Sequence, residues 1–192
     1  MKILVCISSV PDTTSKINFT ADKSAFDKNG IQWVINPLDE FALTKAIKLQ
    51  ESQGATVTVL NVGDAGTEAV IRKALAIGAN DAVRVNAEAK DSFSVAKEIA
   101  KVAQDGGYDL ILTGKESIDY NGGAVPGMVA QLLNIPFVNA SVGLDVNGSE
   151  ATVVREIEGG KETISVKLPA VVAGQKGLVD EKELIIPNMR GI

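Results

Sequence analysis

Residues Gly114 to Gly127 read Gly-Lys-Glu-Ser-Ile-Asp-Tyr-Asn-Gly-Gly-Ala-Val-Pro-Gly and join the apolar run Leu110–Thr113 to a helical pattern starting near Val125. Glycines let backbone N–H groups approach an anion closely, and a helix start adds about half a positive charge. Lys115 and Ser117 can add hydrogen bonds. The chemistry this suggests is a phosphate or nucleotide cradle; the plainer alternative is a glycine-rich turn. A loop this long in an α/β unit favours the cradle. It is not a Walker A loop, because Met128 and Val129 stand where Lys and Ser/Thr are needed after Gly122 and Gly127. No G-x-G-x-x-G occurs. Ser117 lies in no nucleophile elbow, and Asp119 reads as a turn or cap residue before it reads as a base.

Other residues with chemical potential are fewer. Asn36-Pro37-Leu38-Asp39 opens a helix and reads first as capping. Cys6 sits within an apolar strand and reads as a small buried hydrophobe. Arg155, Glu156 and Glu158 read as a solvated charge face, and Trp33 as packing. The chain of 192 residues has no histidine and one cysteine. Histidine-based triads and imidazole metal ligands are therefore excluded, as are disulfides and four-cysteine clusters within the chain. A net charge of -5 argues against nucleic acid as the main partner. No run of about 18 apolar residues occurs, so no membrane insertion is expected. With no leader recognised at Met1–Ile7, the expected location is cytoplasmic.

These residues need a scaffold, and the hydrophobic pattern supplies one. Residues 2–8 form a near-continuous apolar run, as in a strand covered on both faces. Residues 17–35 predict an irregular hairpin turning at Asp27–Gly30. A helix from Asn36 carries Leu38, Phe41, Ala42, Ala46 and Leu49 on one face, with Lys45 alongside. Strands follow at 56–62, 82–85 and 110–113. Helices follow from near Thr67, over 92–104 with Phe93 on the apolar side, and over 125–133. The alternation predicts an α/β fold, a doubly wound, mostly parallel sheet with a ligand edge after residues 6, 61 and 113. Residues 138–146, 151–157 and 162–168 predict an added antiparallel β-meander. Ala170–Ala173 reads as the last core strand. The expected organisation is one domain over 1–192, with the meander at about 138–168 and a tail at about 174–192.

Several stretches resemble the β subunit of electron transfer flavoprotein, in the same order along the chain. They are Val10-Pro11-Asp12, Ile35–Ala42, Ile71–Ala79, the loop Gly114–Asp119, and above all Val154-Arg155-Glu156-Ile157-Glu158-Gly159-Gly160-Lys161-Glu162 followed by Leu168–Val172. The resemblance implies a Rossmann-like, adenine-nucleotide-binding subunit of a heterodimer. It would hold AMP as a structural ligand, while FAD is held mainly by the α subunit and receives electrons from flavin dehydrogenases. By position, AMP contacts would involve Cys6, Asn36, Pro37, Leu38, Asp39, Val62, Gly114, Lys115, Glu116, Ser117, Ile118, Asp119, Gly122, Gly123, Ala124 and Val125. Leu38 would approach the flavin, and the segment around Ile186 would meet the dehydrogenase.

This chain departs from the family at Ser8-Ser9 and at Gly123-Ala124-Val125, which leaves the backbone to hold the phosphate. The resemblance also implies a longer chain, so the tail ending at Met189–Ile192 looks cut before a partner-binding arm. The expected role is that of an electron-carrier subunit, not an enzyme. A stand-alone adenine-nucleotide sensor on the same fold is the alternative.

Overall fold

The computed structural model describes residues 1–187. Its core is an eight-stranded sheet built from β1 (Lys2–Cys6), β4 (Thr56–Val62), β5 (Asp81–Val85), β6 (Leu110–Gly114), β7 (Phe137–Asn147), β8 (Glu150–Ile157), β9 (Gly160–Lys167) and β10 (Ala170–Gly174). The spatial order is β5-β4-β1-β6-β10-β7-β8-β9. All pairings from β5 to β7 are parallel, while β7-β8 and β8-β9 are antiparallel. The α/β class and the added meander expected from the pattern are thus present. The last core strand, β10, enters between β6 and β7 after the meander. A small second sheet pairs β2 (Ser9–Pro11) with β3 (Trp33–Ile35).

Four helices cover the sheet: α1 (Pro37–Gln53), α2 (Glu68–Ile77), α3 (Ser92–Gly106) and α4 (Val125–Leu133). Strand alternation sorts the core into two layers. Ile3 and Val5 pack with α1 and α2, whereas Leu4 and Cys6 pack with α3 and α4. In α1, Phe41, Ala42, Leu43, Ala46, Ile47 and Leu49 are all buried, because the helix crosses β1, β6 and β10. Each large apolar side chain buried this way contributes about 1.5–3 kcal/mol. The helix ends at Gly54, whose left-handed φ of 66° suits a residue without Cβ.

Two expectations change. The hairpin predicted over 17–35 does not form between its own halves: apart from a bridge between Phe19 and Phe26, the segment's strand β3 pairs with β2. That pairing buries Val10 and Ile35 in the main core, a larger gain than the local turn at Lys28–Ile31 can offer. Phe93, expected on the apolar side of α3, is 53% exposed in the helix's first turn, with Lys97 over its ring.

Candidate nucleotide site at the sheet switch point

The chain moves from β1 to β4 on one side of the sheet and later to β6 on the other, so β1 and β6 flank the switch point. Their pairing stops at Val5 and Leu112. Beyond it the two strand ends part, and a side chain from α1 fills the gap. Asp39 accepts the Ser8 N–H at 2.7 Å on one oxygen and the Gly114 N–H at 2.8 Å on the other. Asp39 is buried. Burial pushes its carboxyl up to about 7, although the Ser8 and Gly114 N–H groups and Asn36 pull the other way.

Asn36 is fully buried and holds the next part of the loop. Its Nδ2 donates to the Glu116 carbonyl at 2.9 Å, and its Oδ1 accepts the Ile118 N–H at 3.2 Å. Its backbone N–H donates to the Ser8 carbonyl at 2.9 Å. The capping reading of Asn36 is therefore corrected: it occupies the N-cap position, but its side chain makes no cap hydrogen bond. Its amide is already committed to the loop. Pro37 begins α1 and is exposed; Leu38 is half-buried.

Downstream, the loop folds on itself through an antiparallel bridge between Ser117 and Gly122. The Ser117 hydroxyl donates to Asp119 Oδ1, which also accepts the Tyr120 N–H at 3.0 Å. Asp119 is thus a turn residue, as its type and position suggested, and burial raises its carboxyl. Lys115 lies 4.0 Å from Glu116. Gly122 has space around its missing side chain: a Cβ there would meet only the Tyr120 Cβ, at 4.0 Å. A Cβ on Gly123 would meet the Lys115 carbonyl at 3.3 Å. Helix α4 then starts at Val125 with no side-chain cap.

The other positions singled out in the sequence also lie on this edge. Cys6 ends β1, and Val62 ends β4. Burial, with the Asp39 carboxylate adding to it, pushes the Cys6 thiol far up and leaves it unreactive. The structure brings Leu38, Lys115 and Glu116 together around a cavity of about 570 Å³ that Glu156, Gln175 and Lys176 complete. Gln175 donates to Glu156 across it. Sequence spacing did not point to Gln175 or Lys176, because they reach this edge only through the insertion of β10 beside β6. Arg155, read as a solvated charge, pairs with Glu162 at 2.7 Å on the exposed meander. Trp33 packs edge-on against Phe26. Ile186 is 84% exposed. The rest of the expected tail, residues 188–192, lies outside the described residues.

Among the described residues, no group of three or more acidic, cysteine or histidine side chains is placed to hold a metal. No helix among them is long and apolar enough to cross a membrane.

Comparison with known proteins identifies the family of the chain. The family described as "Electron transfer flavoprotein domain" matches residues 24–190. "Electron transfer flavoprotein subunit beta" of Bacillus subtilis is 36% identical over 100% of this chain and 74% of its own length. The protein of that name from Bradyrhizobium diazoefficiens is 34% identical over 98% of this chain and 77% of its own length. "Protein FixA" of Azotobacter vinelandii is 33% identical over 92% of this chain and 66% of its own length. A doubly wound sheet with a clamped glycine-rich loop, matched along nearly its whole length at this identity, places the chain in the electron transfer flavoprotein family, among its beta subunits.

Proposed function

We propose that this chain is the nucleotide-holding subunit of a heterodimeric electron transfer flavoprotein. It binds AMP as a structural ligand. FAD, held mainly by an α partner, supplies the redox chemistry when bound, taking electrons from flavin dehydrogenases. The chain itself acts as a carrier subunit in the cytoplasm and performs no catalytic step.

The observation that carries this reading is the loop from Gly114 to Gly123, pinned by Asn36 and Asp39 and open at Gly122. The residues fit a monophosphate. Backbone N–H groups at Gly122–Val125 and the uncapped start of α4 offer donors without a side chain in the way. Cys6 and Val62 offer an apolar wall for the adenine. From α1's first turn, Leu38 lines the cavity with Glu156 and Gln175, a surface suited to the flavin-bearing partner. The exposure of Ile186 supports a role for its segment in meeting a dehydrogenase.

The test is release of bound nucleotide. Natively purified protein, denatured and analysed by mass spectrometry, is expected to release AMP. Release of FAD alone would assign a second flavin to the site, and release of no nucleotide would overturn the reading. Co-purification of a larger, flavin-containing partner is expected with it. A persistently monomeric, colourless protein that still binds AMP would favour a stand-alone nucleotide sensor. Gly123→Asp is expected to weaken AMP binding at least tenfold by setting a carboxylate beside the phosphate; unchanged affinity in a titration would refute the phosphate position.

A further inference from the structure

We infer that Asp39 is a built-in anion that fills the switch-point seat and positions the nucleotide loop, so that the phosphate is received further along, at Gly122–Val125. In doubly wound sheets the parted strand ends present backbone N–H groups where a ligand's negative charge can sit. Here the two N–H groups that face the gap, on Ser8 and Gly114, both donate to one carboxylate from the chain itself. The fit is tight. A Cβ on Gly114 would stand 2.5 Å from Asp39 Oδ1 and 2.8 Å from Leu38 Cβ, so the loop can start where it does only because residue 114 has no side chain. From that point Lys115 donates its N–H to the Gly174 carbonyl at 2.8 Å, and Asn36 takes over at Glu116 and Ile118. The path of the loop is thereby set from its first residue.

The groups around Asp39 explain why its charge is expensive and why it is kept there. Cys6, on the end of β1, is a neutral thiol. Glu40, next on α1, is itself raised by burial, with Lys73 opposing that effect. Lys115 and Glu116, on the loop, lie close enough to offset each other. No cation among these groups is paired with Asp39, so the Ser8 and Gly114 N–H groups carry its stabilisation.

Only the affinity arm of the test rests on the nucleotide reading. Asp39→Ala vacates the seat while leaving both donors in place. At pH 8 its thermal midpoint is expected to fall by roughly 5 °C or more. Formate, a carboxylate small enough for the vacancy, is expected to raise that midpoint by several degrees at about 0.1 M while moving the wild type by less than about one degree. Sodium chloride at equal ionic strength serves as the control. Hydrogen exchange over Gly114–Gly123 is expected to speed up in the variant and to slow again with formate, with or without nucleotide. AMP affinity, where the wild type binds AMP, is expected to follow the same loss and recovery. Asp39→Asn keeps the volume but sets an NH₂ donor against an N–H donor, so faster loop exchange without a formate response is expected. A formate shift no larger in Asp39→Ala than in the wild type would overturn the inference. So would unchanged loop exchange in Asp39→Asn, which decides the matter if the alanine variant fails to fold even with formate. Failure of the wild type to bind AMP would count against the proposed function, and the formate and exchange arms would still decide the role of Asp39.

Discussion

The switch point and the β8–β9 hairpin both stood out in the sequence, and they are built in opposite ways. At the switch point, two buried side chains from the first turn of α1 reach far along the chain. Asn36 bonds residues 80 and 82 positions away, and Asp39 bonds residues 31 and 75 positions away. In the hairpin, Arg155 bonds Glu162 only seven positions away, and both side chains are partly exposed. The first region holds its loop by satisfying buried backbone groups that would otherwise be costly to bury. The second holds its shape by a local ladder between strands, with the Arg155–Glu162 pair facing outward and Glu156 reaching back to Gln175. A distinctive run of residues therefore need not be the run that holds the fold together.

Substitutions can break or sharpen this contrast. Gly114→Ala drives a Cβ into Asp39 and the Leu38 backbone, and is expected to cost about 3 kcal/mol or more in chemical denaturation. A cost below about 1 kcal/mol would show that the clamp yields easily. The next effect is a pH dependence. The Asp39 carboxyl is raised in the folded protein from its ordinary 3.8 to about 7. Folding thus favours the protonated form: the extra stability that protonation gives is fully present below about pH 4 and is lost as pH climbs through 7, leaving the charged carboxylate held by the Ser8 and Gly114 N–H groups. Unfolding free energy is expected to decline across that window by an amount on the order of 4 kcal/mol, and Asp39→Asn is expected to flatten the decline. Equal slopes in the two proteins would place the titration elsewhere.

Asn36→Ala leaves the Ile118 N–H and the Glu116 carbonyl without their side-chain partner. It is expected to cost about 1–2 kcal/mol and to weaken nucleotide binding more than its stability loss alone accounts for. The smallest effect belongs to the hairpin. Arg155→Ala is expected to change stability by less than about 0.5 kcal/mol, since its ion pair is solvent-screened. An Arg155 variant as damaging as the Asn36 variant would erase the distinction between the two regions.

Much of the scaffold was legible because period and burial agree. The apolar run at Lys2–Cys6, the helical stripe of α1 and the Gly-rich exit of β6 each have a local signature. Phe93 misled because a helical stripe near a helix start need not lie over the sheet. Residues 17–35 misled because a competent turn at Asp27–Gly30 lost to a partner from another part of the chain. The loop itself was visible as a glycine-rich strand-to-helix connection. By spacing its clamps read only as helix-cap residues, and by resemblance as AMP contacts, since a buried Asn or Asp has the same spacing whether it caps its own helix or a distant loop. Gln175 carried no site signal and Glu156 read only as a solvated charge, because only the placement of β10 between β6 and β7 brings them beside Leu38.

By itself the sequence determined the class of sheet, the absence of histidine chemistry and the presence of a backbone-rich loop. Each of these depends on residue type and short-range period, which are written along the chain. The tertiary structure decided what Asn36 and Asp39 do. Their partners are backbone groups, which every residue carries alike, and only the crossing of α1 over the gap between β1 and β6 selects which of those groups they meet.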